Sequence, residues 1–254
     1  MPASRRASEH NGGVNPSSPA RRALVVDDER PLTELVGGYL RRDGFEVHLA
    51  FDGPSGVESA RQVDPDVIVL DLGLPGLDGV EVCRQVRTFS DCYVVMLTAR
   101  TDEIDTLIGL SVGADDYVTK PFRPRELMAR ITAMQRRPRR AATGTPGPLD
   151  EAAPPIVIGP LRMDLAAREV DLDGEPVTFT RTEFDVLAAL ARRPTAVLTR
   201  RQLIEAVWGD RWVGDEHLVD VHVLHVRQKL GDTVDAQRFV RTVRGVGYRI
   251  GTGS

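Results

Sequence analysis

The chain has 254 residues, of which 33 are basic and 37 acidic, and 41% of its residues are hydrophobic. This length suggests two domains, and the balance of apolar and charged residues excludes a largely disordered chain. No apolar run approaches the roughly 20 residues that a membrane-spanning helix needs, and the N-terminus lacks the apolar core of a signal peptide, so we expect a cytoplasmic protein.

Residues 1–20 are rich in Ser, Pro, Asn and Gly and lack apolar periodicity, which predicts a disordered tail. In residues 21–137, short apolar runs alternate with amphipathic stretches. This alternation predicts an α/β domain with a five-stranded, doubly wound parallel sheet that is covered on both faces. The predicted strands lie near 24–26, 45–50, 67–70, 94–97 and 115–119, and the predicted helices near 30–42, 54–62, 78–87, 102–111 and 124–137.

Residues 138–153 contain several prolines and glycines without an apolar period, and we predict that they form a linker. Residues 154–254 form the second predicted domain, an α+β winged helix with an N-terminal β-platform. Thr199 and Gln202 fit a capping box at the start of its second helix. Its predicted strands lie near 156–158, 161–164, 169–172 and 177–180, its helices near 182–192, 199–208 and 216–229, and its terminal hairpin near 239–243 and 247–250.

Polar side chains follow the predicted strands of the first domain at the edge where doubly wound sheets bind ligands. Three carboxylates at one edge repel one another unless a cation lies among them, and Mg²⁺ prefers such oxygen ligands. Asp71 can then act as a nucleophile toward a phosphoryl group, because carboxylates do form covalent phosphoryl intermediates. The lysine and threonine of the set would bind the phosphoryl oxygens. The set is Asp27, Asp28, Asp71, Thr98 and Lys120.

Residues 23–137 resemble the receiver domain of bacterial two-component response regulators. The resemblance is carried by the stretches at 24–29, 66–79, 97–100 and 113–122. It implies a flavodoxin-like strand order 2-1-3-4-5. It also implies that Asp71 accepts phosphate from a sensor histidine kinase, that Thr98 and Tyr117 form a switch pair, and that the peptide bond before Pro121 is cis. It also implies a set of Mg²⁺ ligands: Asp28, Asp71, the backbone carbonyl of Gly73 and, through water, Asp27.

The chain is similar to the OmpR/PhoB subgroup of these regulators, whose members dimerise when phosphorylated. The resemblance implies a dimer face formed by the fourth helix, the fifth strand and the fifth helix of the receiver. Charged residues stand at positions where that subgroup places ion pairs across the dimer. These residues are Asp115, Asp116, Glu126, Arg130 and Arg137.

Residues 154–251 resemble the winged-helix effector domain of the same subgroup, through the stretches at 179–187, 198–203, 207–209, 219–223, 227–231 and 241–249. The helix near 216–229 is expected to enter the major groove of promoter DNA, with basic residues of the hairpin near the phosphates. The resemblance also implies that an exposed loop at 210–215, containing Trp212, contacts RNA polymerase. The predicted DNA-binding residues are His217, Leu224, His225, Arg227, Gln228, Arg241, Arg244 and Arg249.

These features predict a transcription regulator that is activated by phosphorylation and is not an enzyme beyond slow self-dephosphorylation. Two alternatives remain open. A hydrolase of the haloacid dehalogenase type also uses an aspartate nucleophile after a strand, but it needs a second acid two residues later, where this chain has Gly73. A receiver that is not phosphorylated would keep the DNA-binding role, although the complete set of acidic pocket residues argues against it.

Overall fold

A computed structural model describes residues 21–99, 112–135, 154–210, 212, 214–233 and 235–254. The predicted tail (1–20), the predicted linker (138–153) and the predicted helix near 102–111 lie outside these described residues. Within the described part of the chain, we find no helix whose length and apolar character would let it span a bilayer.

The first domain is built on five parallel strands in the predicted order, β2-β1-β3-β4-β5. Strands β1 and β3 pair in register from Ala23↔Val67 to Val26↔Leu70, so both strands end at the same edge of the sheet. Strands β3 and β4 are buried along their whole length, as expected for strands covered on both faces. The strands are β1 (Arg21–Val26), β2 (Phe45–Ala50), β3 (Val67–Asp71), β4 (Tyr93–Thr98) and β5 (Asp116–Thr119), and the helices are α1 (Arg30–Arg42), α2 (Gly53–Val63), α3 (Gly79–Arg87) and α4 (Pro124–Gln135).

Helix α3 begins against the end of β3, where the predicted acidic pocket lies. Asp78 caps this helix, because its side chain accepts a hydrogen bond from the backbone N–H of Glu81 at 2.8 Å. Gly79 follows, and a Cβ atom there would collide with the backbone carbonyl of Asp71. Only glycine therefore lets the helix start this close to the strand. On the other side of the pocket, the Lys120–Pro121 peptide bond is cis, which confirms the expectation.

The described residues of the second domain form two antiparallel sheets and three helices. The capping box of Thr199 and Gln202 is confirmed, and a second capping box joins Thr180 to Glu183 at the start of α5. One sheet has the order β6-β7-β8-β9 and the other β10-β12-β11. The elements are β6 (Ile156–Ile158), β7 (Leu161–Asp164), β8 (Glu169–Leu172), β9 (Glu175–Pro176), α5 (Arg181–Ala191), β10 (Leu198–Thr199), α6 (Arg200–Val207), α7 (Leu218–Lys229), β11 (Val240–Val243) and β12 (Gly247–Ile250).

The predicted fourth strand of this domain, at 177–180, is wrong, because the strand is β9 at Glu175–Pro176. Asp173 and Gly174 have φ values of 53° and 85° and form a tight two-residue turn. Strand β9 therefore pairs with β8 directly after this turn, with Glu175 opposite Leu172. The chain then leaves the sheet because Thr180 caps α5. No sequence pattern indicates β10, which is two residues long and leads directly into α6.

Candidate functional site

Three carboxylates meet beyond the ends of β1 and β3. Asp27 and Asp28 follow β1, and Asp71 is the last residue of β3. One carboxylate oxygen from each residue lies within 4.8 Å of the other two. Asp27 and Asp71 are buried, whereas Asp28 is exposed. The structure thus brings together the three acids that the strand ends predicted, with one open side.

Lys120 bridges two of these acids. Its Nζ lies 2.8 Å from Oδ2 of Asp27 and 2.7 Å from Oδ1 of Asp71. A third contact, 3.2 Å to Oε1 of the exposed Glu29, has no counterpart in the sequence-based prediction. Partial burial lowers the pKa of Lys120, but its hydrogen bonds to Asp27 and Asp71 and their charges outweigh this effect, so its pKa is raised. Lys120 is therefore a permanent cation within the acidic cluster.

Gly73 and Thr98 lie at the same edge, and Tyr117 lies two residues before it on β5. The backbone N–H of Gly73 donates a 2.8 Å hydrogen bond to Oδ2 of Asp71. Thr98 ends β4, one residue beyond Leu97, which is the register partner of Asp71, and Thr98 is buried. Tyr117 lies on the neighbouring strand β5 and is half-buried, and burial raises the pKa of its hydroxyl. The hydroxyl of Thr98 thus lies on the strand next to Asp71, and Tyr117 lies one strand further, opposite Met96 in register.

In the second domain, helix α7 carries a line of accessible side chains. His217, immediately before the helix, Leu224 and Gln228 are exposed, and Asp220 between them is half-buried. Their spacing of three or four residues places them on one face of the helix. The hydrogen bond from His217 to Asp220 raises the pKa of the His217 imidazole. This line contains three of the predicted DNA-binding residues.

Two other predicted DNA-binding residues of this helix are engaged within the protein. The expectation that His225 lies at the surface is wrong, because its imidazole is buried with Nδ1 3.5 Å from Oε1 of Glu183. Arg227 is half-buried and donates hydrogen bonds to the carbonyl of Val240 at 3.0 and 2.9 Å. Arg227 thus ties α7 to the hairpin in this structure.

The hairpin of β11 and β12 holds the three predicted arginines. Arg244 lies in the turn and is exposed, while Arg241 and Arg249 are half-buried. The guanidinium of Arg241 donates to the carbonyl of Gln237 at 3.2 Å. Val246, in the same turn, is 47% exposed. The turn therefore presents one accessible cation and one apolar side chain.

The two domains meet at Asp116 in β5. Its carboxylate accepts hydrogen bonds from Arg130 at 2.8 Å, from the hydroxyl of Tyr93 at 3.2 Å and from the indole Nε1 of Trp212 at 3.2 Å. The predicted exposure of Trp212 is wrong, since its side chain is buried against the first domain, with the Arg130 guanidinium 5.0 Å from the ring centre. No sequence pattern signals this contact, which joins residues 96 positions apart.

A histidine of α7 forms a second contact between the domains. Nε2 of His222 lies 3.1 Å from the backbone carbonyl of Asp115, and the imidazole is fully buried. Burial lowers the pKa of His222 to about 4. The carboxylate of Asp115 binds Arg87 at 2.6 Å. A third contact is the ion pair of Arg181 and Asp91 at 3.1 Å.

These contacts involve residues that the sequence predicted for a receiver dimer. Asp115, Asp116 and Arg130 are buried at the junction with the second domain, and Glu126 pairs with Arg130 at 3.0 Å. Arg137 lies outside the described residues. In this structure, the predicted dimer face is therefore partly covered by the chain's own second domain.

Comparison with known proteins agrees with this architecture. Residues 23–132 match the family model described as response regulator receiver domain, and residues 174–250 match the one described as transcriptional regulatory protein, C terminal. The DNA-binding response regulator MtrA of Mycolicibacterium smegmatis is 44% identical over 231 residues, which cover 91% of this chain and 97% of that protein. The sensory transduction protein RegX3 of the same organism is 43% identical over 227 residues, covering 89% and 97%.

Among solved structures, a mutant of RitR covers 92% of this chain and 100% of its own, with a TM-score of 0.70 and 27% sequence identity. A similarity of this extent includes both domains. The chain belongs to the DNA-binding response regulators of two-component systems, and its parallel receiver sheet followed by a winged-helix effector is the architecture of the OmpR/PhoB type.

Proposed function

We propose that Asp71 is the phosphoacceptor of this response regulator and that phosphate from a sensor histidine kinase on Asp71 activates promoter binding. The observation that carries this proposal is the buried Asp71 carboxylate, 2.7 Å from Nζ of Lys120 within the acidic cluster. In the transfer, a carboxylate oxygen attacks the phosphorus of a phosphohistidine. The new P–O bond forms as the P–N bond breaks, and the departing imidazole takes up a proton.

The acidic cluster is chemically suited to Mg²⁺. Burial raises the pKa of Asp27 in spite of its hydrogen bond to Lys120, and the nearby charge of Asp71 raises it further. Asp27, Asp28, Asp71 and the backbone carbonyl of Gly73 would hold the ion, and such oxygen donors are the ligands that Mg²⁺ prefers. Bound there, Mg²⁺ supplies positive charge that offsets the carboxylates and the incoming phosphoryl oxygens.

Three side chains of the pocket respond to the phosphoryl group. Lys120 exchanges its contact with Asp71 for a phosphoryl oxygen, which a permanent ammonium can do without a change of protonation. The hydroxyl of Thr98 donates to another phosphoryl oxygen, and the ring of Tyr117 moves with it. These two residues form the proposed switch pair, and they lie on the adjacent strands β4 and β5.

The switch pair is linked to the domain junction through Arg130. The Arg130 guanidinium donates to the carbonyl of Tyr117 at 3.2 Å and to the carboxylate of Asp116 at 2.8 Å. A movement of β5 at Tyr117 therefore disturbs the contact of Asp116 with Trp212. Release of the second domain leaves the receiver face free for a second copy, and the proposed dimer residues are Asp115, Asp116, Glu126, Arg130 and Arg137.

In the released state, two effector domains of a dimer bind adjacent half-sites, and their linkage raises the effective concentration of the second domain. Residues 154–254 form the effector domain, residues 21–137 the receiver and residues 138–153 the linker, in a protein that acts in the cytoplasm. The loop at 210–215 would contact RNA polymerase once Trp212 has left the receiver. The proposed DNA contacts are His217, Leu224, Gln228, Arg241, Arg244 and Arg249, whereas His225 and Arg227 are engaged within the effector domain.

The only reaction that we assign to the chain after phosphotransfer is slow hydrolysis of its own acyl phosphate. A phosphatase of the haloacid dehalogenase type would need an acid two residues after its nucleophile. Gly73 stands at that position and offers only backbone groups, of which the N–H is already bound to Asp71. We therefore expect no turnover of phosphomonoesters.

The proposal is tested by labelling with acetyl phosphate and Mg²⁺, read as a shift on a phosphate-affinity gel. The wild-type chain should be labelled and Asp71→Asn should not. Asp64→Asn is the matched control, because Asp64 is an exposed aspartate outside the cluster whose φ of 47° asparagine tolerates well. Undiminished labelling of Asp71→Asn would place the acceptor elsewhere and overturn the proposal.

A further inference from the structure

Helix α7 presents an apolar side chain on its accessible face. Leu224 is 48% exposed, between the exposed polar residues His217 and Gln228. Large hydrophobic residues are rarely exposed in the described part of this chain, and two of the five lie on the proposed DNA-binding elements. The five are Leu35, Phe89, Val157, Leu224 and Val246.

The polar group nearest to Leu224 along this face is already bound. Oδ1 of Asp220, one helical turn before Leu224, accepts hydrogen bonds from Arg200 at 2.7 Å and from the hydroxyl of Tyr248 at 2.6 Å. The Asp220 carboxylate therefore fixes α7 against α6 and β12, and is engaged within the domain. Leu224 and Gln228 are then the side chains of α7 that face outward beyond it.

Leucine can form neither a hydrogen bond to a base edge nor an ion pair with phosphate. The apolar group that DNA offers in its major groove is the 5-methyl group of thymine, and aliphatic side chains recognise it by contact. We propose that Leu224 reads the 5-methyl group of a thymine, which makes thymine at one position of each half-site a determinant of specificity. This inference rests on the proposed entry of α7 into the major groove.

Gln228 supports the same assignment. It lies one turn after Leu224, a rise of about 6 Å along the helix, so the two side chains would reach nearby base pairs. A glutamine amide matches adenine through its N6 and N7 atoms. The pair of side chains therefore predicts A·T pairs close together in the half-site.

The test is a double-mutant cycle on the full chain activated with acetyl phosphate and Mg²⁺. A preferred duplex is first selected from a randomised pool with the wild-type chain. Each thymine is then replaced in turn by deoxyuridine, which removes only the methyl group. At one position, deoxyuridine should weaken wild-type binding about fourfold, comparable to the loss of one buried methyl group, and should leave Leu224→Ala unchanged.

Leu35→Ala is the matched control, since Leu35 is a similarly exposed leucine on α1 of the receiver, and this variant should lose affinity for deoxyuridine duplexes as the wild type does. Equal losses in wild type and Leu224→Ala at every position overturn the thymine contact. If Gln228→Ala weakens binding in that case, the major-groove role of α7 stands without the thymine contact of Leu224. If neither Leu224→Ala nor Gln228→Ala changes binding to the selected duplex, α7 does not read the bases. The thymine contact and the major-groove role of α7 then both fail.

Discussion

The indole Nε1 of Trp212 donates a hydrogen bond to Oδ2 of Asp116, 3.2 Å away, and so joins the effector domain to strand β5 of the receiver. The carboxylate also binds Arg130, so the indole is held by a charged group that is buried at the junction. A hydrogen bond to a charged, buried partner is worth more than one between neutral exposed groups. Loss of this contact should therefore weaken the closed arrangement.

Trp212→Phe keeps an aromatic ring and removes the donor. We expect it to weaken the closed arrangement by about 1.5–3 kcal/mol, the typical net contribution of a hydrogen bond to a charged group. The radius of gyration from small-angle scattering should rise without phosphorylation, and DNA affinity should rise with it. Trp208→Phe is the matched control, because Nε1 of the buried Trp208 has no hydrogen-bond partner among the described residues. Equal compactness of Trp212→Phe and the wild type would contradict the prediction.

The junction should open on acidification, because His222 is buried there as a neutral imidazole. Its pKa is about 4 in this structure, whereas an exposed imidazole has a pKa of about 6.5. Because the pKa of His222 is lowered in the closed arrangement, this arrangement is fully stable at pH values above the ordinary imidazole pKa. It loses stability as the pH falls below that pKa. With these two pKa values, a fall in pH from 7.5 to 5.0 should raise the ratio of open to closed molecules about 30-fold.

The titratable groups that face His222 are Asp115, Glu183 and His225. The pKa of Glu183 is lowered to about 2, because its hydrogen bond to His225 and the charge of Lys229 outweigh its burial, so it stays ionised over this range. Small-angle scattering against pH provides the measurement, and His222→Gln, which keeps a donor for the Asp115 carbonyl, should flatten the profile. An unchanged profile in that variant would assign the opening to another group.

The acidic pocket can be predicted from the sequence because each of its members directly follows or ends a parallel strand. Local apolar runs indicate where such strands end, and parallel pairing brings those ends together, as the register of β1 with β3 does for Asp27 and Asp71. Lys120 is predictable for the same reason. Its bridge between the two acids depends on side-chain geometry, which no local pattern encodes.

The domain junction cannot be predicted in this way. Trp212 and Asp116 are 96 residues apart, and each has an ordinary role within its own domain, as a loop aromatic and as a strand acid. The burial of His225 escapes prediction for a similar reason, since its partner Glu183 also forms the capping box of α5, and the helical pattern indicates only that role. Side-chain contacts between residues far apart in the chain leave no periodicity in the sequence.

Lys120→Met should separate metal binding from phosphoryl transfer. Removing one positive charge from among the three carboxylates should raise the affinity for Mg²⁺ at least about 30-fold, because even in bulk water a unit charge and a divalent ion about 4 Å apart repel by about 2 kcal/mol. Labelling of Asp71 by acetyl phosphate should fall, because the incoming phosphoryl oxygens lose their ammonium partner. Calorimetric titration measures the first effect. Lys229→Met, at the other lysine of the chain, should change neither, and weaker Mg²⁺ binding in Lys120→Met would show that the ion does not share these acids.

Gly79→Ala should destabilise the receiver, because the new Cβ would collide with the Asp71 carbonyl at the start of α3. Overpacking of this kind costs about 1–3 kcal/mol, and here the backbone of the phosphoacceptor itself must shift, so labelling of Asp71 should fall as well. Gly38→Ala is the opposite case. Gly38 lies within α1, and no atom of the described residues comes within 4 Å of the place that a Cβ would take, so alanine should stabilise the helix by about 0.5–1 kcal/mol. Chemical denaturation of the two variants measures both shifts, and shifts of the same sign would contradict the close approach of α3 to β3.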